Sequence, residues 1–281
     1  GLVRSGQATD LAKVYPPHDL PSPDQLLVAA LDAIQAFDTQ IMAWLQFAPQ
    51  TNEVARSAAL YPGMMQIAGQ TGLPLALYEV GASAGLNMNM GRYGYRLGGQ
   101  EFGHSESAVM LTPDWNRASL EGAEPVIHSR RGCDRNPMDV SNPEQFERLI
   151  SYVWPDQLDR LSRIEAACEI AQKYPLQIDK MDAADWVDDM FSVPAEKGVV
   201  RVLYHSIAFQ YFPDDSKNRI TERMTRVGEL ATEETPVAWL AYELGEAGRP
   251  ALTLRLWPGG DEQLLAIGDA HCRDIEWLLQ T

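Results

Sequence analysis

Cysteine is scarce in this sequence, and no cysteine pair of the kind that binds metal or closes a disulfide-rich domain is present. The three cysteines, Cys133, Cys168 and Cys272, lie far apart, without a C-x-x-C motif. This spacing excludes a zinc knuckle and a disulfide framework, and it is typical of proteins from a reducing compartment. Because no cluster of histidines and cysteines occurs either, we expect no metal site.

Positive charge is also in short supply. Lys and Arg number 23 against 39 Asp and Glu, which gives a formal net charge of −16. Nucleic-acid grooves take their affinity from basic side chains that neutralise phosphates, so we expect no nucleic-acid partner. The short basic cluster of Arg130, Arg131 and Arg135 is the exception and suits one small anion.

Long apolar runs are missing as well. No stretch approaches the ~20 apolar residues of a membrane helix and no signal peptide is recognisable, so we expect a cytoplasmic protein without a membrane partner. The sequence starts at Gly1 and not at Met, so we expect a shortened or tagged form. With 281 residues, 45% of them hydrophobic, the chain is long enough for one large α/β domain.

Helical patterns come first along the chain, and strands alternate with helices after residue 73. A Pro-rich arm over 1–24 precedes predicted helices over 24–45 and 52–70, the second interrupted near Pro62. Strands are then predicted at 75–80, 125–129, 176–178, 199–204 and 236–242. Helices are predicted at 83–90, 143–173 with a break at Pro155, 183–191 and 214–230. A hairpin of 251–257 and 262–270, turning at 258–260, is predicted to close the chain.

This order predicts an α/β fold with a mostly parallel sheet, a C-terminal antiparallel hairpin and helices on both faces. Residues 1–73 are interpreted as an arm and helical cap, and residues 74–281 as the main domain with an inserted hairpin or loop at about 91–124. Ligands of such sheets bind beyond the carboxyl ends of the strands, so the residues after each strand are the candidates for a site.

The stretch LALYEVGASAGLNMNM, residues 75–90, admits two interpretations. Gly81-Ala82-Ser83-Ala84-Gly85 matches the G-x-S-x-G nucleophile elbow of serine hydrolases, with Ser83 as the nucleophile. Alternatively, Glu79, Gly81, Ser83 and Gly85 form an acidic, glycine-spaced loop that turns backbone N–H groups and a helix start toward a nucleotide, with Ser83 capping the helix. An elbow normally follows several strands, whereas this corner follows the first one, which favours the nucleotide interpretation.

Each later strand end adds a polar group that suits a nucleoside. Asp134 follows the second strand, where a carboxylate accepts hydrogen bonds from a ribose diol. Asp182 follows the third strand and offers an acceptor to an adenine edge. His205 and Ser206 end the fourth strand, and His205 is the candidate general base because histidine commonly transfers protons near neutral pH.

A polar string precedes the second helix. It consists of Gln50, Thr51, Asn52, Glu53 and Arg56, and Thr51 or Asn52 as an N-cap accounts for only part of it. We interpret the string as a lid over the cleft, with Glu53 and Arg56 acting beside His205 on the substrate.

Five segments, QTNEVARSAALYPG, EVGASAGLNMNMGRYGYR, RRGCDRNPMDV, VWPDQLDRL and GDAHCRDIEWL, carry a family resemblance over residues 50–278. In these segments the chain resembles the bacterial domain-of-unknown-function 2332 family. The resemblance implies a Rossmann-like sheet similar to that of class I S-adenosylmethionine-dependent methyltransferases. Ser83 replaces the middle glycine of the usual methyltransferase loop.

We therefore expect an S-adenosylmethionine-dependent methyltransferase that acts on a small-molecule acceptor. Two alternatives stay open: a non-catalytic nucleoside-binding module on the same fold, and a serine hydrolase that uses Ser83. Cofactor binding without methyl transfer is the mark of the first alternative. Covalent labelling of Ser83 by a fluorophosphonate is the mark of the second. The sequence does not predict the oligomeric state.

Overall fold

The structure is a computed structural model that describes residues 1–19, 21–117, 119–245 and 248–279. The chain divides into two units, of which the first comprises Gly1–Thr51 and Met138–Glu165. The second unit comprises Asn52–Pro137 and Ala166–Thr281.

The described α-helices are α1 (Thr9–Ala12), α2 (Pro23–Ala36), α3 (Asp38–Trp44), α4 (Ser57–Thr71), α5 (Pro143–Ser151), α6 (Leu158–Lys173), α7 (Ala183–Ser192) and α8 (Asp214–Glu229). Short 3₁₀ helices cover Val54–Arg56, Leu86–Arg92 and Phe209–Tyr211. The described strands are β1 (Leu75–Val80), β2 (Gly94–Leu97), β3 (Gln100–Gly103), β4 (Met110–Leu111), β5 (Asp114–Trp115), β6 (Ile127–Asp134), β7 (Gln177–Lys180), β8 (Val200–Ser206), β9 (Val237–Leu244), β10 (Pro250–Trp257), β11 (Glu262–Gly268) and β12 (Asp274–Trp277).

The first unit is helical. Its α2 begins with a capping box, in which Ser22 and Gln25 satisfy each other's backbone N–H groups, and Pro23 occupies the first helical position. The single helix predicted over 24–45 is divided at Phe37, whose backbone is not helical, and α2 and α3 meet at 86°. None of the described helices is by itself long and apolar enough to cross a membrane. The cap role of the N-terminal helices stays a prediction.

The second unit contains a nine-stranded sheet in the order β5-β12-β11-β10-β9-β8-β1-β6-β7. The five strands from β9 to β7 are mutually parallel, whereas β9, β10, β11 and β12 pair in antiparallel fashion. The fold is therefore α/β with a large mixed sheet and helices, and β10 and β11 form the predicted hairpin. Strands β5 and β12, at the far edge, were not anticipated from the sequence because each is short and lacks a clear alternating pattern.

Helices α7 and α8 pack together beside the sheet. Ile220, Met224 and Val227 recur at steps of four and three residues, so they form one apolar stripe along α8. This stripe joins a buried cluster with Trp186 of α7 and Leu203 of β8. The amphipathic pattern that predicted these two helices is thus the pattern that buries them.

Helix α4 differs from its prediction in two respects. It runs through Pro62 without the predicted interruption, because nearly all of its residues are buried and packing offsets the missing backbone hydrogen bond. It also belongs to the sheet-containing unit: a Cβ on Gly63 would lie 2.7 Å from Cδ1 of Leu240 on β9. The boundary predicted after residue 73 therefore does not coincide with a limit of either unit.

A second, smaller sheet of order β3-β2-β4 lies inside the segment predicted as an insertion. Its β2 and β3 pair as an antiparallel hairpin from Gly94 to Gly103. The Tyr93 hydroxyl donates to the carbonyl of Leu86 and the Tyr95 hydroxyl to that of Met90, so the hairpin is anchored to the segment that follows β1.

The apolar stripe of α8 yields a stability prediction. Met224→Ala is expected to lower the free energy of unfolding by about 2–5 kcal/mol, because it opens a cavity at a fully buried position. The exposed neighbour Thr225 provides the matched control, and Thr225→Ala is expected to change stability by no more than about 0.5 kcal/mol. Urea denaturation measures both, and equal effects of the two substitutions would contradict the packing described.

Candidate functional site

The strand order reverses at β1, which is flanked by β6 on one side and β8 on the other. The connections that leave β6 and β8 diverge to opposite sides of β1, and a crevice at the carboxyl ends of such strands is the usual ligand site of open α/β sheets. The predicted site residues Glu79, Asp134, Asp182 and His205 all end or follow strands of this parallel part.

The loop after β1 is held in an unusual backbone conformation. Gly81, Ser83 and Gly85 all have positive φ, at 69°, 53° and 68°. A Cβ on Gly81 would lie only 2.6 Å from Cβ of Ala208, so glycine permits the close approach of the loop that follows β8. The α-helix predicted over 83–90 is wrong, since a 3₁₀ helix starts at Leu86 and Ser83 does not cap it.

Asp134 joins the ends of three neighbouring strands. Its carboxylate accepts hydrogen bonds from the backbone N–H groups of Ser83 and Asn136, each at 2.8 Å. Its carbonyl accepts from the N–H of Met181, just after β7, and the carbonyl of Cys133 accepts from Ala82. The tips after β1, β6 and β7 therefore meet around this one residue.

Asp182 stands next in the chain and caps α7, because its side chain accepts from the N–H of Ala184 at 2.9 Å. The predicted contact of Asp182 with an adenine edge stays a prediction. Gln50 is part of the first unit, and its predicted lid role likewise stays a prediction.

Glu79 is the penultimate residue of β1 and carries a buried carboxyl group. It is 3% exposed, and the hydroxyl of the fully buried Tyr204 donates to its Oε2 at 3.2 Å. Burial raises the pKa of Glu79 to about 8, since desolvation outweighs the hydrogen bond from Tyr204. Glu79 is therefore mostly protonated at neutral pH, because the charge of nearby Arg56 lowers its pKa less than burial raises it.

The segment Asn52–Arg56 ties three loops together. Asn52 Nδ2 donates to the carbonyl of Ala82 at 3.2 Å, in the loop after β1. Arg56 donates through Nη1 to the carbonyl of Ser206 at 3.0 Å and through Nε to that of Ala270 at 3.1 Å. These groups are buried, so the segment is a fixed support under the loops, and the predicted lid role of Asn52, Glu53 and Arg56 stays a prediction.

One acceptor of this support has no partner. The Asn52 residue is only 7% exposed, and its buried Oδ1 has no hydrogen-bond partner among the described residues. The carbonyl of Ala82 fixes the amide orientation, because exchange of the two amide atoms would place two acceptors face to face. A buried orphan acceptor is costly, and a bound donor would satisfy it.

His205 forms a closed pair with Glu243. Its Nδ1 lies 2.7 Å from Oε1 of Glu243, and its Nε2 accepts from the indole N–H of Trp239 at 2.9 Å. Both ring nitrogens are occupied and the residue is 1% exposed, so the geometry favours a positioning role over the predicted role of general base.

Glu243 in turn fixes the loop after β8. Its carboxylate accepts from the backbone N–H groups of Ala208 and Phe209, both at 3.0 Å, beyond the positive-φ residue Ile207. Burial opposes the ionisation of Glu243, but hydrogen bonds from His205 and from these N–H groups outweigh it and hold its pKa below the usual range.

His271 forms an open pair with Glu53. Its Nδ1 lies 2.8 Å from Oε2 of Glu53, whose side chain is 2% exposed, while the His271 side chain is 39% exposed. Nε2 of His271 has no hydrogen-bond partner among the described residues. A buried carboxylate that orients a solvent-facing imidazole is a common arrangement for proton transfer.

Sequence reasoning missed Glu243 and did not assign His271 to the site. Glu243 carried one usable signal, since an acid at the end of the apolar strand VAWLAYEL is unusual. Glu53 and His271 are 218 residues apart in the sequence, so no local sequence pattern predicts their pairing.

The fold and site thus define an α/β protein with a polar site at the strand-order reversal of its sheet. The chain belongs to the family described as uncharacterized proteins conserved in bacteria (DUF2332), whose model matches residues 1–277. No curated protein and no solved structure matches it.

The buried proton of Glu79 leads to a pH prediction. The folded chain keeps this proton between the usual carboxyl pKa of 4.5 and about 8, whereas the unfolded chain loses it. Stability therefore falls as pH rises through this window, by up to about 1.4 kcal/mol per pH unit, and levels off above pH 8. Glu79→Gln, whose amide oxygen still accepts from Tyr204, is expected to flatten the fall in melting temperature between pH 6 and 7.5. The exposed Glu262→Gln serves as control, and a wild-type slope in Glu79→Gln would refute the assignment.

Proposed function

We propose that this protein binds S-adenosylmethionine at the carboxyl ends of β1, β6 and β7 and transfers its methyl group to a small molecule. The observation that carries the proposal is the hydrogen bond from Ser83 N–H to the Asp134 carboxylate, because it brings two adjacent strand ends together at the strand-order reversal. When the five parallel strands are numbered along the chain, their order across the sheet is 3-2-1-4-5. This is the order of doubly wound, Rossmann-like nucleotide-binding sheets, which supports the methyltransferase-like interpretation.

The charge around the loop favours a cation. The carboxylate of Asp134 lies beside the loop after β1, the carboxyl group of Glu79 would be ionised by a bound cation, and the overall net charge is −16. A sulfonium and an ammonium group, as in S-adenosylmethionine, are stabilised by such carboxylates. A serine hydrolase must instead stabilise an oxyanion, and a carboxylate bonded to the N–H of Ser83 itself opposes negative charge there.

The residues present fit the parts of the ligand. Glu79, Gly81 and Gly85 would hold the methionine part, and the unpartnered Oδ1 of Asn52 would accept from its ammonium group. Asp134 would accept from the ribose hydroxyls, and Asp182 with its neighbouring backbone would contact the base. When bound, S-adenosylmethionine supplies an activated methyl group, so the protein's main task is to align acceptor, methyl carbon and sulfur.

Proton removal from the acceptor falls to His271 in this proposal. Its open Nε2 takes the proton and Glu53 stabilises the resulting imidazolium, whereas His205 and Arg56 position the surrounding loops. Ser206 contributes its carbonyl to the Arg56 support and lies at the end of β8, next to the acceptor side of the site.

Two alternatives are separated by experiment. A non-catalytic module predicts ligand binding without methyl transfer. A serine hydrolase draws support from the positive φ of Ser83 and from the Glu53–His271 pair, and it predicts covalent labelling of Ser83 by a fluorophosphonate. An unlabelled, folded chain excludes it.

Ligand binding is tested by isothermal titration calorimetry with S-adenosylmethionine and S-adenosylhomocysteine. Asp134→Asn is expected to weaken binding about tenfold or more, because a charge-assisted hydrogen bond to the ribose becomes a neutral one. The matched control Asp189→Asn, on the exposed side of α7, is expected to leave affinity unchanged. Absence of heat with both ligands, for folded wild-type protein, would remove the proposal.

The role of His271 is tested by methyl transfer from labelled S-adenosylmethionine to the small molecules of a bacterial extract. His271→Ala is expected to lower transfer by about 10²- to 10⁴-fold while ligand affinity is kept, and added imidazole is expected to restore part of it. His128→Ala, on the exposed start of β6, is the control. Full activity in His271→Ala would assign the proton to another group. Independently of turnover, diethylpyrocarbonate should modify His271 faster than His205, and equal rates would contradict the open and closed pairs.

A further inference from the structure

A second group of cations converges on an open cleft elsewhere in the sheet-containing unit. The cleft has a volume of about 450 Å³ and lies between the turn after β3 and the last turn of α6. Its polar lining includes Arg92, His104, Ser105, Ser107, Lys173 and Tyr174. The volume is within the range of small-molecule sites, and no lining residue belongs to the candidate site described above.

Arg92 is held in place but lacks an acceptor. It ends the 3₁₀ helix after β1, and its guanidinium carbon lies 3.5 Å from the centre of the Tyr174 ring. This contact uses the planar face of the guanidinium. Among the described residues nothing accepts a hydrogen bond from its N–H groups, which leaves the fork suited to a planar or tetrahedral anion.

The lack of counter-charges is notable in a chain with 39 acidic and 23 basic residues. Elsewhere arginines are paired, as Arg131 is with Asp179 at 2.8 Å and Arg223 with Asp188 at 2.6 Å. No carboxylate of the described residues forms an ion pair with Arg92 or Lys173. Only one acid, Glu106, lines the cleft, and its side chain forms no such pair either.

A second arginine stands behind Arg92. Burial, and then the proximity of Arg92, lowers the pKa of Arg130, so the two guanidinium groups repel each other. Arg130 donates to Oδ1 of Asn89, which precedes Arg92 by one 3₁₀ turn and so shares its face of the helix. Nδ2 of Asn89 is a fully buried donor without a partner among the described residues. Unmatched donors and like charges are thus concentrated on this side of the 3₁₀ helix.

A purely structural explanation covers only part of the cluster. Lys173, in the last turn of α6, stabilises the negative end of the helix dipole. That explanation does not extend to Arg92 or His104, which lie on other elements. The arginines of the sequence cluster at 130–135 do not form an anion site by themselves, because Arg131 is neutralised by Asp179.

We propose that this cleft binds a small organic dianion, a phosphate ester or a polycarboxylate, between Arg92 and Lys173. The hydroxyls of Ser105 and Ser107 and the imidazole of His104 surround the anion at the rim. The site is separate from the proposed methyltransferase site, so it stands or falls independently of that function.

The test is isothermal titration calorimetry of the full chain at low ionic strength with two probes, inorganic pyrophosphate and citrate. At least one probe is expected to bind with one site per chain. Arg92→Gln and Lys173→Gln are each expected to weaken that binding about tenfold or more, since each removes one charge-assisted contact. The control is Arg96→Gln, which removes an exposed arginine paired with Glu101 on the neighbouring hairpin and is expected to leave affinity unchanged.

The outcomes separate the ligand classes. Tighter binding of pyrophosphate assigns a phosphate ester, and tighter binding of citrate assigns a polycarboxylate. Binding of neither probe at millimolar concentration overturns the proposal. Binding that is equally strong in wild type, Arg92→Gln and Lys173→Gln also overturns it. Arg92→Gln also loses the contact with the Tyr174 ring, which by itself lowers stability. A melting curve of each variant therefore accompanies the titrations, and Lys173→Gln provides the second, independent variant.

Discussion

The polar end of the sheet depends on the buried guanidinium of Arg56. It bridges the carbonyls of Ser206, at the end of β8, and Ala270, in the loop before β12, and such a fork geometry is not available to lysine. Burial lowers the pKa of Arg56, and nearby Glu53 and Glu243 offset the cost of its charge. Without this cation, the two carbonyls and the two carboxylates would lose a partner in a poorly solvated interior. The free-energy cost of that loss is larger than the net gain from the buried interaction itself.

The same bridge explains why strained backbone persists here. In the described part of the chain, the non-glycine residues with positive φ are Ser83, Ile207 and Cys272, one in each loop that Asn52 or Arg56 holds. Such conformations cost on the order of 1–3 kcal/mol each, and they persist where surrounding contacts over-determine them. The strained residues lie in three loops of one polar site, and one buried segment holds all three loops. We infer that these loops are pre-organised for a ligand.

The sequence predicted the parallel strands and the positions that follow them, because alternating apolar runs and turn residues are local signals. It could not predict which side chains meet. His205 and His271 carry the same side chain. The indole of Trp239 occupies the second ring nitrogen of His205, whereas His271 is exposed to solvent. This difference depends on the pairing of β8 with β9 and on the path of the 269–273 loop. The sequence places helix α4 in the cap, because apolar residues cover its whole surface and this pattern fits several environments. Only its contact with β9 shows where the helix packs.

The protonation of Glu79 connects these features to the proposed ligand. Burial keeps this carboxyl neutral, and Arg56 lies close enough to act on it but not to ionise it fully at neutral pH. A sulfonium or ammonium group beside Glu79 would favour its carboxylate form, so binding of the cation and loss of the proton are thermodynamically linked. By reciprocity, the proposed cation would be bound more tightly as the pH rises toward the pKa of Glu79. An acid that is neutral in the free protein and charged in the proposed complex would stabilise the bound cation without imposing a buried, unpaired charge on the fold.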